Sequence, residues 1–306
     1  MAKKKKFIIV DGNAVLHRAF HAIPPMTTKS GLVTNAAYGF ISTIFKAFNE
    51  FKPEYIAVTF DRKEKTFRHV EFEDYKAHRE KQPDELYNQI PIIKEVLEAL
   101  NINVYEKVGF EADDVIGTLC EKRQVNRDDV LSIIVTGDMD ALQLVDDNTQ
   151  VFTMRKGMSD TVVYDEAGVI EKYDGLRPDQ LIDYKGLRGD PSDNIPGVPG
   201  VGEKTAIGLV KEFGSMEELF KKIKTEEIKT TIEKDKKIVF ENIKVTARIY
   251  NLLLDNEKQA LQSKMLSTIV RDVELDFNLD DTAVTSYNKD AVFEMFQKYE
   301  FKSLLN

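Results

Sequence analysis

Nine carboxylates stand on five short stretches of this chain: Asp11 in "FIIVDGN", Asp61 in "VTFDRK", Glu111, Asp113 and Asp114 in "FEADDV", Asp138 and Asp140 in "TGDMDA", and Asp190 and Asp193 in "RGDPSDN". A single Asp after an apolar run is ordinarily a turn or a helix cap. Nine acids in one cleft are a different matter. Their repulsion would raise their pKa values or expand the fold unless cations neutralised it. With oxygen ligands only, the suitable ions are Mg²⁺ or Mn²⁺. A pair of such ions makes a nucleophile of a bound water and stabilises the attacking and leaving oxygens of a phosphodiester.

For those acids to meet, the elements before them must share an edge. The β-branched runs "FIIV" (7–10), "YIAVTF" (55–60), "LSIIVT" (131–136) and "VFTM" (151–154) read as buried strands, and the patterns at 36–51 and 85–100 read as helices between them. Strands buried on both faces and separated by helices give a parallel sheet with helical crossovers. Ligands bind outside the carboxyl ends of such strands, and the first three strands each run into an aspartate. In "ADDVIGTLCEK", a helix places residues 111 and 114 on one face, with 113 about 100° round from 114. Capping can use one or two of these three acids, and not all of them.

Beyond residue 175 strand signals give way to helices: Pro178 suits a first helical position, Gly214 a C-cap and Ser215 a new start. The expected organisation is an α/β unit over 1–175, with an arch at 62–100, and a smaller helical unit over 176–306 packed against it.

The 306 residues carry a net charge of −9, which opposes a nucleic-acid partner unless the acids collect locally and leave basic stretches free. One cysteine, Cys120, excludes an internal disulfide, and His17, His21, His69 and His78 lack metal-ligand spacing. No apolar run approaches the roughly 18 residues of a membrane span. A cytoplasmic protein is expected, with Lys3 to Lys6 as a solvated tail.

Two stretches suit phosphate. "IPGVPGVGEKTA" sets Gly197, Gly200 and Gly202 before a helix, where amides, helix dipole and Lys204 can cradle a nucleic-acid backbone without reading sequence. "RKEKTFRHVEFEDYKAHREK" (62–81) offers Lys65, Arg68, Lys76, Arg79 and Lys81 to phosphates, and Phe67 and Tyr75 to bases.

In order along the chain, "FIIVDGN", "VTFDRKEKTFRH", "YKAHR", "FEADDVIGTL", "TGDMDALQLV", "YKGLRGDPSDNIPGVPGVGEKTA" and "LVKEFGS" resemble the 5′ nuclease domain of bacterial DNA polymerase I and its free-standing flap endonuclease relatives. The resemblance spans nearly the whole chain. It implies a PIN-like, resolvase-like α/β fold with a helix-three-turn-helix at about 178–213. It implies a structure-specific 5′ nuclease that cleaves 5′ flaps, nicks, 5′ overhangs and RNA–DNA primer junctions, acting in replication and repair as a monomer or attached to a polymerase. All nine acids match the family's ligands for two or three Mg²⁺, which Mn²⁺ could replace. Asp11, Asp61, Glu111 and Asp113 fall to the first ion and Asp138, Asp140, Asp190 and Asp193 to the second, with Asp114 between. Arg68, Lys76 and Arg79 match basic arch residues, Lys76 and Arg79 with catalytic roles, and Arg18 joins the DNA contacts. The carbonyls of Leu187, Arg188, Pro196, Val198 and Val201 would hold K⁺, and the segment from Gly200 to Thr205 would supply amide contacts. Leu16 and His17 replace the family's usual Ala-Tyr, and Met139 stands where a basic residue is common.

A DNA-structure-binding protein with weak catalysis would keep this fold, but loss of cluster acids would mark it, and all nine are present. A haloacid-dehalogenase-type phosphatase needs D-x-D after its first strand, where this chain has Asp11-Gly12-Asn13.

Overall fold

A computed structural model describes residues 4–126, 129–156 and 160–305. Lys3, the first residue of the expected tail, lies outside them, and Lys5 and Lys6 open the first strand instead. Six strands form one sheet: β1 (Lys5–Asp11), β2 (Tyr55–Thr59), β3 (Asn103–Tyr105), β4 (Val130–Val135), β5 (Thr149–Lys156) and β6 (Asp160–Tyr164). Their order is β3-β2-β1-β4-β5-β6. The first five are parallel, and β6 pairs antiparallel with β5. The α/β reading therefore holds, with two additions that hydrophobic runs did not announce. β3 is three residues long and partly exposed, and β6 is an edge strand with exposed positions.

Chain order reverses between β1 and β4, since β2 and β3 lie to one side of β1 and β4 and β5 to the other. Connections diverge at such a switch point and leave a crevice beyond the strand ends. Register aims it: Asp11 lies level with Thr59, and Val10 with Val135. Asp11, Asp61 and Asp138 therefore emerge on one edge, close to the switch.

Alternation along β1 feeds two cores. Ile8 and Val10 pack with Phe40, Ile44, Ile93 and Val96, from the helices Asn35–Phe51 and Ile90–Ala99. Phe7 and Ile9 share a second core with Val115 and Leu119 of the helix Ala112–Asn126, and with Leu187 and Leu209 of the helical unit. The two halves of the chain are thus continuous through a hydrophobic core. Cys120 is buried in that core.

Two of the expected stretches contain segments that pack on the α/β core. Of the 62–100 stretch expected to form an arch, residues 90–99 are a crossover helix that packs one face, Ile92, Ile93, Val96 and Leu97, into the α/β core. The last part of the stretch expected in the helical unit, to 306, packs on the α/β unit. Ala283 bridges Tyr55, and Val292, Phe296 and Phe301 pack into the α/β core. The caps at Gly214 (φ +80°) and Ser215 stand where the sequence puts them.

Candidate active site at the sheet switch point

Asp11 closes β1 and caps the helix Gly12–Ala22, one carboxylate oxygen accepting from Ala14 N at 2.9 Å. The other accepts from Thr136 Oγ1 at 2.6 Å, and Thr136 Oγ1 accepts from Asp138 N at 2.9 Å. Asp138 in turn caps the 3-10 helix Met139–Leu144, accepting from Asp140 N at 2.9 Å. Asp61 accepts from Ala112 N at 2.6 Å, while its own amide donates to Asn13 Oδ1 at 2.9 Å. Capping and cluster membership are therefore compatible, because a cap occupies only one or two of a carboxylate's four acceptor positions.

A cavity of about 450 Å³ is lined by Asp11, Asp61, Glu111, Asp113 and Asp138, with Lys76 and Arg79 at its wall. Burial pushes Asp11 up to about 7, helped by the charges of Asp61 and Asp138 and opposed by its two donors. Asp113 rises well above the ordinary carboxylate range through burial, with Asp11, Asp138 and Asp140 adding repulsion. Asp61 is also raised, first by burial. Asp140 rises to about 6 because burial and Asp138 outweigh Lys185. Asp190, despite burial, is held down to about 2 by Lys185 and Ser192.

Basic side chains sit among the acids. Lys76 Nζ lies 2.7 Å from Glu111 Oε1 and 3.8 Å from Asp193 Oδ2, and Arg79 pairs with Asp193. Lys185 pairs with Asp140 and, at 2.7 Å, with Asp190. Sequence reasoning missed Lys185; its place in "YKGLRGD", five residues before Asp190 on a helix leading to it, was the available signal. Among the described residues no three acidic, imidazole or thiol groups converge as a ready coordination sphere. The Asp113 carboxylate receives no hydrogen bond among the described residues; half-buried, it stands with buried Asp11 as mutually repelling oxygens facing the cavity. That donor set fits hydrated Mg²⁺, which binds through one or two carboxylates and retains waters.

Three expected roles fail on geometry. Asp114 does not face the cavity: its carboxylate accepts from Arg68 Nη1 (2.7 Å) and Nη2 (2.8 Å), Glu111 N (3.1 Å) and Val270 N (2.9 Å). Four donors fill its acceptor positions, leaving none for a cation. It is the one capping acid of its trio. Arg68, expected on DNA, is 3% exposed and spends its remaining donors on Leu266 O (2.9 Å) and Thr268 O (2.7 Å). Tyr75, expected to stack on bases, is buried with Ile195 and Leu266, and its hydroxyl donates to Glu111 Oε2 at 3.0 Å. Phe67 is half-buried against Phe110, Lys65 is exposed, and exposed Lys81 pairs with Asp84.

Next to the acids the chain builds a helix, a glycine loop and a second helix: Leu181–Arg188, then residues 189–202, then Glu203–Phe213. The loop is tight. Gly197, at φ +61°, leaves no room for a Cβ, which would lie 2.2 Å from Gly189 N and 2.5 Å from Arg188 C. Leu187 O accepts from Val198 N at 2.8 Å and Val198 O from Val201 N at 3.0 Å, each keeping a second lone pair. The carbonyls of Arg188 and Pro196 close on the same glycine pair. Gly202 caps the second helix without a side chain, and Lys204 and Thr205 border an open hollow. Arg18 donates to Met154 O, beside the hollow lined by Gly137 and Met139.

Sheet order, acid-edged crevice and appended helical unit define a resolvase-like α/β domain joined to a helix-loop-helix module. Residues 6–174 match the family model "5′-3′ exonuclease, N-terminal resolvase-like domain" and residues 176–290 match "5′-3′ exonuclease, C-terminal SAM fold". The chain belongs to the 5′-3′ exonuclease family. DNA polymerase I of Bacillus subtilis (strain 168) is 41% identical over 305 residues, covering 100% of this chain and 32% of that protein. DNA polymerase I of Caldicellulosiruptor bescii is 41% identical over 302 residues, covering 98% and 33%. The chain thus spans about a third of the length of these curated relatives. Among solved structures, the T5 D15 protein co-crystallised with metal ions superimposes at a TM-score of 0.67 with 17% identity, covering 99% of this chain and 100% of that one. The catalytic core of Rad2 in complex with DNA substrate (complex III) reaches 0.63 with 18% identity, covering 98% and 89%. Identities this low speak to the fold.

Proposed function

We propose that this protein is a structure-specific 5′ nuclease that hydrolyses phosphodiesters of DNA and of RNA primers at 5′ flaps and 5′ ends, leaving 5′-phosphate and 3′-hydroxyl. The observation that carries this reading is the crevice, where Asp11, Asp61, Glu111, Asp113 and Asp138 line one cavity and Asp140 adds its charge. When bound there, two or three Mg²⁺, or Mn²⁺ in their place, would supply the charge that activates water and stabilises both oxygens of an in-line displacement.

The chain's own groups do the rest. Asp11 and Asp138 are fixed by caps and by Thr136, which leaves acceptor lone pairs on both carboxylates for the crevice. Lys76 and Arg79 line the same cavity, paired with Glu111 and Asp193, where they receive and orient the phosphate to be cut. The glycine loop and the amides of residues 203–205, with Lys204, Thr205 and Arg18, hold phosphates of the duplex. A K⁺ at the carbonyls of Leu187, Arg188, Pro196, Val198 and Val201 would reinforce that grip. Partners are 5′-flap, nicked and 5′-overhang DNA and primer junctions, met in the cytoplasm during replication and repair. No helix among the described residues is long and apolar enough to cross a membrane.

The test is cleavage of an end-labelled 5′-flap duplex with and without chelator. Loss of cleavage on removing divalent metal, with its return on adding Mg²⁺, is expected. Cleavage indifferent to chelator overturns the mechanism. Asp138→Asn keeps the cap oxygen and loses the charge, so it should cut at least 100-fold more slowly while binding the flap as the parent does.

A further inference from the structure

Asp190 and Asp193 sit within the duplex-gripping loop, whereas the acids that line the crevice, Asp11, Asp61, Glu111, Asp113 and Asp138, stand on the α/β unit, and a buried ion pair lies between that loop and the crevice. Arg68 lies in the short helix Phe67–Glu71 after β2, Asp114 lies in the first turn of the helix that Glu111 precedes and that carries Asp113, and both are nearly inaccessible, at 3% and 0%. Their contact is bidentate, a geometry that fixes orientation as well as distance. Around it the bonds form a closed circuit. Asp114 holds Glu111 N and Val270 N. Arg68 holds the carbonyls of Leu266 and Thr268, and its Nη1 lies 3.5 Å from Glu111 Oε2.

Residues 266–270 end the helix Glu257–Ser267 and follow it directly. That helix grips the glycine loop at its tightest point, where Gly197 N donates to Ser263 Oγ at 3.0 Å and Gln259 Nε2 donates to Gly197 O at 2.7 Å. A path of direct bonds therefore runs from Gly197 through the helix to Arg68, and from Arg68 through Asp114 to the Glu111 amide. No segment of it is a free loop.

We infer that Arg68 and Asp114 are positioning residues that fix the distance between the duplex grip at residues 189–202 and the acid crevice, and so select which phosphodiester is cut. The inference rests on the nuclease reading above. It gives the pair a role apart from ligation or DNA contact, which its saturation and burial exclude. Arg68→Lys keeps the charge but cannot span Asp114 and two carbonyls at once. Asp114→Asn weakens the bidentate contact.

The experiment maps products of a 5′-flap duplex at nucleotide resolution for the parent, Arg68→Lys and Asp114→Asn, with duplex affinity measured in chelator. Folded variants should bind duplex within threefold of the parent, lose at least tenfold in kcat with KM within threefold, and spread cleavage over two or more neighbouring positions. Variants that cut at the parent's single position and rate overturn the inference. A parent that cuts nothing overturns the nuclease reading instead. If the single variants fail to fold, Arg68→Met with Asp114→Leu replaces the pair by apolar bulk, a change buried pairs often tolerate, and is judged by the same products. On the unmodified protein in chelator, duplex lacking a flap should slow hydrogen exchange at the amides of Glu111 and Val270 by at least threefold. No change there overturns the inference whatever the variants do.

Discussion

Thr136 and Asp11 are joined by a 2.6 Å hydrogen bond across the β1–β4 seam, and the same hydroxyl accepts the amide of Asp138. One side chain thus sets two of the acids on either side of the switch point. It also favours the charged form of Asp11 against the burial that raises it. Thr136→Val keeps the shape and removes both bonds. The orphaned Asp138 amide and the lost donor to Asp11 should cost about 1–3 kcal/mol in denaturant unfolding. Mg²⁺ titration of the variant's cleavage should show at least a tenfold higher half-saturation.

The acids make metal-free stability depend on pH in a definite direction. Asp11 rises from an ordinary 3.8 to about 7 and Asp140 to about 6, with Asp61 and Asp113 also raised. Folded protein therefore holds more protons than unfolded chain between about pH 4 and 7, and stability falls as pH rises through that window. Asp190, lowered to about 2, works the opposite way, but only below about pH 4. In chelator the melting temperature should be lower at pH 8 than at pH 5.5. Mg²⁺ should raise it more at pH 8, where it meets charged carboxylates without competing protons. Equal Mg²⁺ effects at both values would contradict the proposed ligand set.

Lys185 neutralises Asp140 and Asp190 from within the fold. Lys185→Met keeps the stem and removes the charge, so Asp190 should lose the main cause of its low pKa and Asp140 should rise further. Without an internal competitor, calorimetry should find divalent-ion affinity at the crevice at least threefold tighter. Cleavage should nonetheless slow by about tenfold or more, since the acids lose the group that spaces them. An affinity equal to the parent's would show that Lys185 does not compete with cations.

The convergence of Asp11, Asp61 and Asp138 was legible because it follows from strand direction alone: parallel strands share a carboxyl edge. The glycine loop and its flanking helices were legible from punctuation at Pro178, Gly202 and Gly214. The fates of Asp114 and Arg68 were not. They lie 46 residues apart, and a helical wheel puts Asp114 on the face of Glu111 without saying that this face turns inward to an arginine. Tyr75 was misread for a like reason, since an aromatic among basic residues looks exposed until Ile195 and Leu266 are brought against it. β3 and β6 escaped because three partly exposed residues, or an edge strand, carry no continuous apolar run.

The tightest test of the duplex grip is Gly197. Its φ of +61° disfavours any side chain, and a Cβ would strike the backbone of Arg188 and Gly189 within 2.7 Å. Neither neighbour can yield, because Gly189 N is bonded to Lys185 O at 2.7 Å and Asp190 N to Ile195 O at 2.8 Å. Gly197→Ala should therefore open the loop and cost about 2–4 kcal/mol in denaturant unfolding. If backbone amides and carbonyls here hold duplex phosphate, binding of a flapless duplex should weaken at least tenfold at about 100 mM salt, while Mg²⁺ affinity at Asp11, Asp61, Glu111 and Asp113, which lie outside the loop, changes little. The dependence of binding on salt should flatten as phosphate contacts are lost. Unchanged duplex affinity in a folded Gly197→Ala variant would move the grip elsewhere on the helical unit.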